Sequence, residues 1–186
     1  ELLQSVDGFP ALVSDPWLNG RLTALHACSD LWACGARVSS AMATITLPMV
    51  PANEQQELLV QTLAGIRSVL DEQGAELIGG HTMESRSASP LPASLGVQIT
   101  LAVNGRSSQS PWLKSGLQPG DALLISRPLG TGVLFAGAMT GATKATDLDA
   151  ALKGMACSQH TLLEQLESVR GDIHACTDIT GFGLLG

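Results

Sequence analysis

No tyrosine occurs among the 186 residues, and Phe and Trp together supply only 3% of them. Aliphatic side chains and alanine must therefore fill any core, which fits an apolar content of 45%. Basic residues are scarce as well, with 10 Lys and Arg against 17 Asp and Glu, a formal charge of -7. A surface of that sign repels a phosphate backbone, which excludes nucleic acid as the main partner. No uninterrupted apolar run reaches the roughly 18 residues that a membrane span needs. Glu1 opens an amphipathic stretch without the basic lead of a signal peptide, so the expectation is a cytoplasmic protein with no membrane partner.

Cysteine is sparse too. Cys28, Cys34, Cys157 and Cys176 form no C-x-x-C pair and are too scattered for a disulfide framework, so reduced, mostly buried thiols are expected. Both ends read as cut. There is no initiator Met, and Gly186 closes the chain just after the run from Thr180 to Leu185, where a helix is about to begin.

What is present alternates between helical and strand patterns, which predicts an α/β or α+β fold. Leu22, Leu25, Cys28 or Ser29, and Trp32 stand at helical spacing between Gly20 and a C-terminal Gly35. Ser40 to Leu47 reads as a strand closed by Pro48. Residues 53–73 give the clearest helix, with Asn53 as N-cap, an apolar stripe of Leu59, Leu63, Ile66 and Leu70, and Gly74 after its end. A short strand over 75–78 leads into the glycine turn Gly79-Gly80-His81-Thr82. A loop over 85–94 and a strand over 95–103 follow. Beyond a connection over 107–120, the pattern predicts a strand over 122–126, a helix after Gly132, a helix over 147–169 and a strand-like piece from His174 to Asp178. The domain boundary falls near 108, giving units of 1–108 and 109–186.

Three aspartates stand at the edges of these elements: Asp7 after an apolar strand, Asp30 within the first helix, and Asp178 before the turn over 180–183. Carboxylates are hard oxygen ligands suited to Mg²⁺, which binds through a few of them together with substrate phosphates. On spacing alone each has an ordinary alternative: Asp7 opening a turn, Asp30 solvated or paired with Ser29, Asp178 capping the next helix. Gly79 and Gly80 allow close backbone approach to a phosphate, and Gly130-Thr131-Gly132 opens a helix, but neither is a Walker loop or a Rossmann fingerprint. His81 reads as a ligand, a base or a plain turn residue. His26, His160 and His174 read as ordinary helix or surface histidines. No Ser/His/Asp or Cys/His arrangement supports nucleophilic hydrolysis.

Taken in order, these residues resemble the selenophosphate synthetase (selenide, water dikinase) family, within the wider group that includes aminoimidazole ribonucleotide synthetase. Val6-Asp7-Gly8-Phe9 and Asp15-Pro16 through Gly20-Arg21 match its strand aspartate and its Asp-Pro…Gly-Arg lead into a helix. Ser29-Asp30-Leu31-Trp32-Ala33-Cys34-Gly35 matches its Ser-Asp-hydrophobic-aromatic-Ala-x-Gly helix, and Gly79-Gly80-His81-Thr82 its Gly-Gly-His-Ser/Thr segment. Arg127-Pro128-Leu129-Gly130-Thr131-Gly132 and Thr177-Asp178-Ile179-Thr180-Gly181-Phe182-Gly183 match two further segments. These matches are collinear across nearly the whole chain. The Gly-Gly-His form also separates this branch from thiamine-phosphate kinases, which resemble it but carry an acidic residue at the His81 position.

The resemblance implies a PurM-like two-half architecture, with the N-terminal half forming a barrel-like dimer and the C-terminal half incomplete. It implies that Asp30 and Asp178 hold Mg²⁺ bridging ATP phosphates, with Asp7 near the same phosphates. Gly80, His81 and Thr82 would contact nucleotide across a homodimer interface. The implied reaction makes selenophosphate from selenide, ATP and water and releases AMP and phosphate. The family's catalytic Cys and Lys would precede Glu1, so none of the cysteines present stands at that position and 1–186 by itself is expected to be inactive. A sister kinase or synthetase of the same fold, or a non-catalytic nucleotide-binding dimerisation module, are the alternatives, and fusion to another enzyme domain is compatible with the family.

Overall fold

The computed structural model describes residues 1–86 and 96–184. Four strands form one mixed sheet in the order β1-β4-β2-β3, with β1 Leu2–Phe9, β2 Arg37–Leu47, β3 Glu76–Glu84 and β4 Gln98–Arg106. The β1/β4 and β4/β2 pairs are antiparallel and β2/β3 is parallel. Helices α1 (Pro16–Ala33) and α2 (Ala52–Glu72) supply the crossovers and cover one sheet face.

Side-chain alternation sets which face is covered. Val38, Ala41, Ala43, Ile45 and Leu47 of β2, with Ile99, Leu101 and Val103 of β4, point into the core beneath the helices. Leu2, Val6 and Met42 alternate to the other face and stay exposed.

The shortage of aromatics has a direct structural counterpart. A Cβ at Gly65 of α2 would lie 2.0 Å from the Trp17 carbonyl, and one at Gly20 of α1 would lie 2.4 Å from the Thr62 carbonyl. The helices cross backbone to backbone, a distance that only glycine and small residues permit, and Ala24, Ala27 and Cys28 continue that surface. Asp15 starts α1 by accepting a hydrogen bond from the Leu18 amide at 2.9 Å, with Pro16 at the first helical position. Gly35, at φ +71, ends it as the sequence predicts.

Several expected elements differ. No side chain caps α2; Pro51 takes the cap position, and Asn53 lies inside the helix. The expected turn at residues 79–82 is instead the middle of β3, where Gly79 and Gly80 run nearly extended and pair with Met42 and Ala43. The expected strands over 122–126 and 174–178 have no ladder partner among the described residues and form no regular structure. The expected helix over 147–169 is two, α4 (Ala145–Met155) and α5 (Leu162–Glu167), broken after Met155. Most of the expected loop over 85–94, and Leu95, lie outside the described residues.

The second half, beyond Arg106, carries α3 (Thr131–Met139), α4, α5 and a single 3-10 turn over 170–172. It docks on the first through few anchors. Trp112 is buried, its amide donates to the Cys34 carbonyl at 3.1 Å, and the Arg170 guanidinium stacks on its ring at 4.7 Å. Arg21 of α1 reaches the Ala156 carbonyl from Nε at 2.8 Å. Among the described residues, no helix is long and apolar enough to cross a membrane.

Candidate metal and nucleotide site

Three parts of the chain converge at the β1 edge of the sheet. Strand β1 presents Ser5 and Asp7 two residues apart, hence on the same face. Helix α1 presents His26, Ser29 and Asp30, whose three- and four-residue spacing puts them on one stripe. The irregular segment after the 3-10 turn brings Asp178, held through Ser29.

Each carboxylate has a named partner. Ser5 Oγ donates to Asp30 Oδ2 at 2.5 Å. His26 Nε2 lies 2.7 Å from Asp7 Oδ2, while the Gly8 amide donates to Asp7 Oδ1, also at 2.7 Å. Ser29 Oγ lies 2.7 Å from the His26 carbonyl and 3.1 Å from Asp178 Oδ2, so its single proton serves one of them at a time. The Asp30 carboxyl is pushed above the usual carboxylate range, first by burial and then by the neighbouring Asp178 and Asp7 charges, against the opposing pull of Ser5 and His26.

That accumulation of like charge fits a divalent cation. The donors are carboxylate oxygens, the set that hard cations prefer. Among the described residues no group of three or more His, Cys, Asp or Glu is placed so that it could hold a metal ion by itself. Mg²⁺ keeps waters and takes phosphate oxygens as ligands, so one or two of these carboxylates would be enough to hold it.

Asp7, Asp30 and Asp178 therefore come together, with Asp7 inside β1 rather than after it. Gly80, His81 and Thr82 do not join them. They sit on β3, paired with Ala43, Thr44 and Ile45, at the opposite edge of the sheet. Three strand spacings, about 14 Å, separate the two edges. The close approach that demands glycine at position 80 is to β2, since a Cβ there would lie 1.9 Å from the Ala43 carbonyl. His81 and Thr82 are exposed.

His26 is not the ordinary helix histidine that the sequence suggests; its ring pairs with Asp7 inside the cluster. The signal was available in its four-residue spacing from Asp30 on one helix. Cys34 and Cys176 flank the same region, and burial pushes both thiols up, joined for Cys34 by the Asp30 and Asp178 charges and for Cys176 by Cys34 and then Asp178. Neither is poised as a thiolate nucleophile.

Two family models match the chain. The AIR synthase related protein N-terminal domain matches residues 1–104, and the AIR synthase related protein C-terminal domain matches 118–186. The chain belongs to the AIR synthase related protein family. Among curated relatives, it is similar to the selenide, water dikinase of Bdellovibrio bacteriovorus, 32% identical over 185 residues, covering 100% of this chain and 50% of that protein. It is likewise similar to the selenide, water dikinase of Desulfitobacterium hafniense, 36% identical over 185 residues, covering 99% and 50%. These relatives carry the name of the family whose motifs the sequence resembles, and the chain spans about half of their length. The fold is shared with thiamine-monophosphate kinase from Stenotrophomonas maltophilia, at a TM-score of 0.74, 20% identity, and coverage of 97% of this chain and 56% of that one. It is shared equally with the hydrogenase maturation protein HypE in complex with ATP, at a TM-score of 0.74, 23% identity, and coverage of 97% and 52%.

Proposed function

We propose that the whole protein is a cytoplasmic ATP-dependent phosphotransferase that makes selenophosphate from selenide, ATP and water, releasing AMP and phosphate. The observation that carries this reading is the convergence of Asp7, Asp30 and Asp178 from three distant parts of the chain. Whole-chain similarity to selenide, water dikinases supports the choice of selenide as acceptor.

In this reading Asp30 and Asp178 hold Mg²⁺, and Asp7 stands beside the ATP phosphates. The metal would neutralise phosphate charge and orient the polyphosphate for displacement. The chain's own residues keep the ligands in place: Ser5 fixes the Asp30 carboxylate and Ser29 ties Asp178 to α1. Gly80, His81 and Thr82 lie on the far edge of the sheet, so they would reach nucleotide from a second copy of the chain. The exposed apolar residues Leu2, Val6 and Met42 on the open sheet face support such a homodimer. The units 1–108 and 109–186 would be the two halves of each copy's fold.

The test uses the full-length protein with ATP and Mg²⁺, with and without selenide, under anaerobic conditions, followed by ³¹P NMR. Selenide-dependent AMP and selenophosphate, lost in Asp30→Asn and Asp178→Asn, are the expected result. ATP consumption that does not require selenide would make the protein a sister kinase or synthetase of the same fold. ATP left intact would leave a non-catalytic module.

A further inference from the structure

We propose that His26 is a positioning residue for the nucleotide site, holding the Asp7 carboxylate in the orientation in which it meets the phosphates; this rests on the nucleotide reading above. Both oxygens of Asp7 are engaged, Oδ2 by His26 Nε2 and Oδ1 by the Gly8 amide, each at 2.7 Å. A carboxylate only accepts, so Nε2 carries the proton in this contact. The imidazole is itself held in place. Its ring centroid lies 4.3 Å from that of Phe9, tilted by 44°, so the aromatic two residues beyond Asp7 on β1 braces the ring.

His26 also lies beside the groups that carry the other two carboxylates. Its carbonyl lies 2.7 Å from the Ser29 hydroxyl, which reaches Asp178, and Asp30 follows it by one turn of α1. One residue thus touches Asp7 through its side chain and, through its backbone carbonyl, the Ser29 hydroxyl that also lies within reach of Asp178. Partners that orient a ligating or phosphate-facing group act through that group and not on the substrate, and their loss typically costs 10–100-fold in affinity or activity.

The experiment measures binding of a non-hydrolysable ATP analogue with Mg²⁺ to the full-length protein by calorimetry, in wild type, His26→Ala, His26→Gln, Asp7→Asn, Asp30→Asn and the His26→Ala/Asp7→Asn double variant. Melting temperatures are taken alongside. His26→Ala should weaken binding by about 10-fold or more. His26→Gln keeps an amide N–H at similar reach and should recover most of the loss. The double variant should be no weaker than Asp7→Asn alone, because His26 acts through Asp7. A purely structural role would lower the melting temperature of both His26 variants and show neither the rescue nor the coupling. Wild-type affinity in His26→Ala while Asp30→Asn has lost binding overturns the inference and leaves the nucleotide site standing. Undiminished binding in Asp30→Asn overturns the nucleotide site and this inference with it.

Discussion

Ser29 Oγ and Asp178 Oδ2 lie 3.1 Å apart although 149 residues separate them in the chain. The contact brings a carboxylate from the second half to the helix that carries Asp30. Its consequences begin with the electrostatics of Asp30.

Asp30 should weaken the metal-free fold at neutral pH. Its carboxyl is held above the usual carboxylate range, chiefly by burial. The folded state therefore binds that proton more tightly than the unfolded chain, and the resulting stabilisation is lost as pH rises through the raised value. Asp30→Asn should melt at or above the wild-type temperature near pH 7. The difference should shrink below about pH 4, where unfolded-state carboxyls are protonated as well. Thermal unfolding in a chelator across that pH range checks the sign.

Gly65→Ala should be among the most damaging small substitutions. Its Cβ would be driven to 2.0 Å from the Trp17 carbonyl at the α1/α2 crossing, where backbone, not a flexible side chain, must give way. A loss on the order of 1–3 kcal/mol or more is expected from overpacking. Gly154→Ala meets nothing within 4 Å and should be harmless. Urea unfolding of both variants measures the contrast.

The architecture of the first half was legible because α2 carries a clear apolar stripe and both helices are followed by a glycine, Gly35 and Gly74, with positive φ. Strand β3 was harder. A glycine pair reads as a turn, yet here Gly80 is required because strands β2 and β3 approach too closely for a Cβ. Residues 122–126 have strand composition, but a strand exists only with a partner, and Leu124 stays 90% exposed. For the site, the three aspartates could be picked out singly. Their convergence depends on how the second half docks, and the spacing of His26 from Asp30 marks a shared helix stripe without naming Asp7, on β1, as its partner.

Arg170 braces Trp112, whose amide makes the contact to Cys34 of the first half. It stacks on Trp112 at 4.7 Å, pairs with Glu167 at 2.6 Å and donates to the Ser110 carbonyl at 2.6 Å. Arg170→Lys keeps the charge but not the planar fork, so it should recover little of the loss seen in Arg170→Ala, on the order of 2 kcal/mol. Denaturant unfolding followed by Trp fluorescence compares the two.

The cysteines should react in order of burial. Burial pushes the Cys28 thiol up to about 12, whereas Cys157 is exposed. Iodoacetamide at neutral pH should label Cys157 first and Cys28 only after unfolding. Mass spectrometry of timed digests reads the order, and early labelling of Cys28 would contradict the buried α1 core.

The most direct test of the carboxylate cluster is Mn²⁺ binding to the full-length protein, followed by electron paramagnetic resonance with and without a non-hydrolysable ATP analogue. Among the described residues the side chains alone form no three-ligand group, and phosphate oxygens are expected to supply the missing ligands. Tight Mn²⁺ uptake should therefore appear only with the nucleotide and vanish in Asp30→Asn and Asp178→Asn. Uptake that is indifferent to nucleotide, or that survives both substitutions, would place the metal elsewhere and contradict the account.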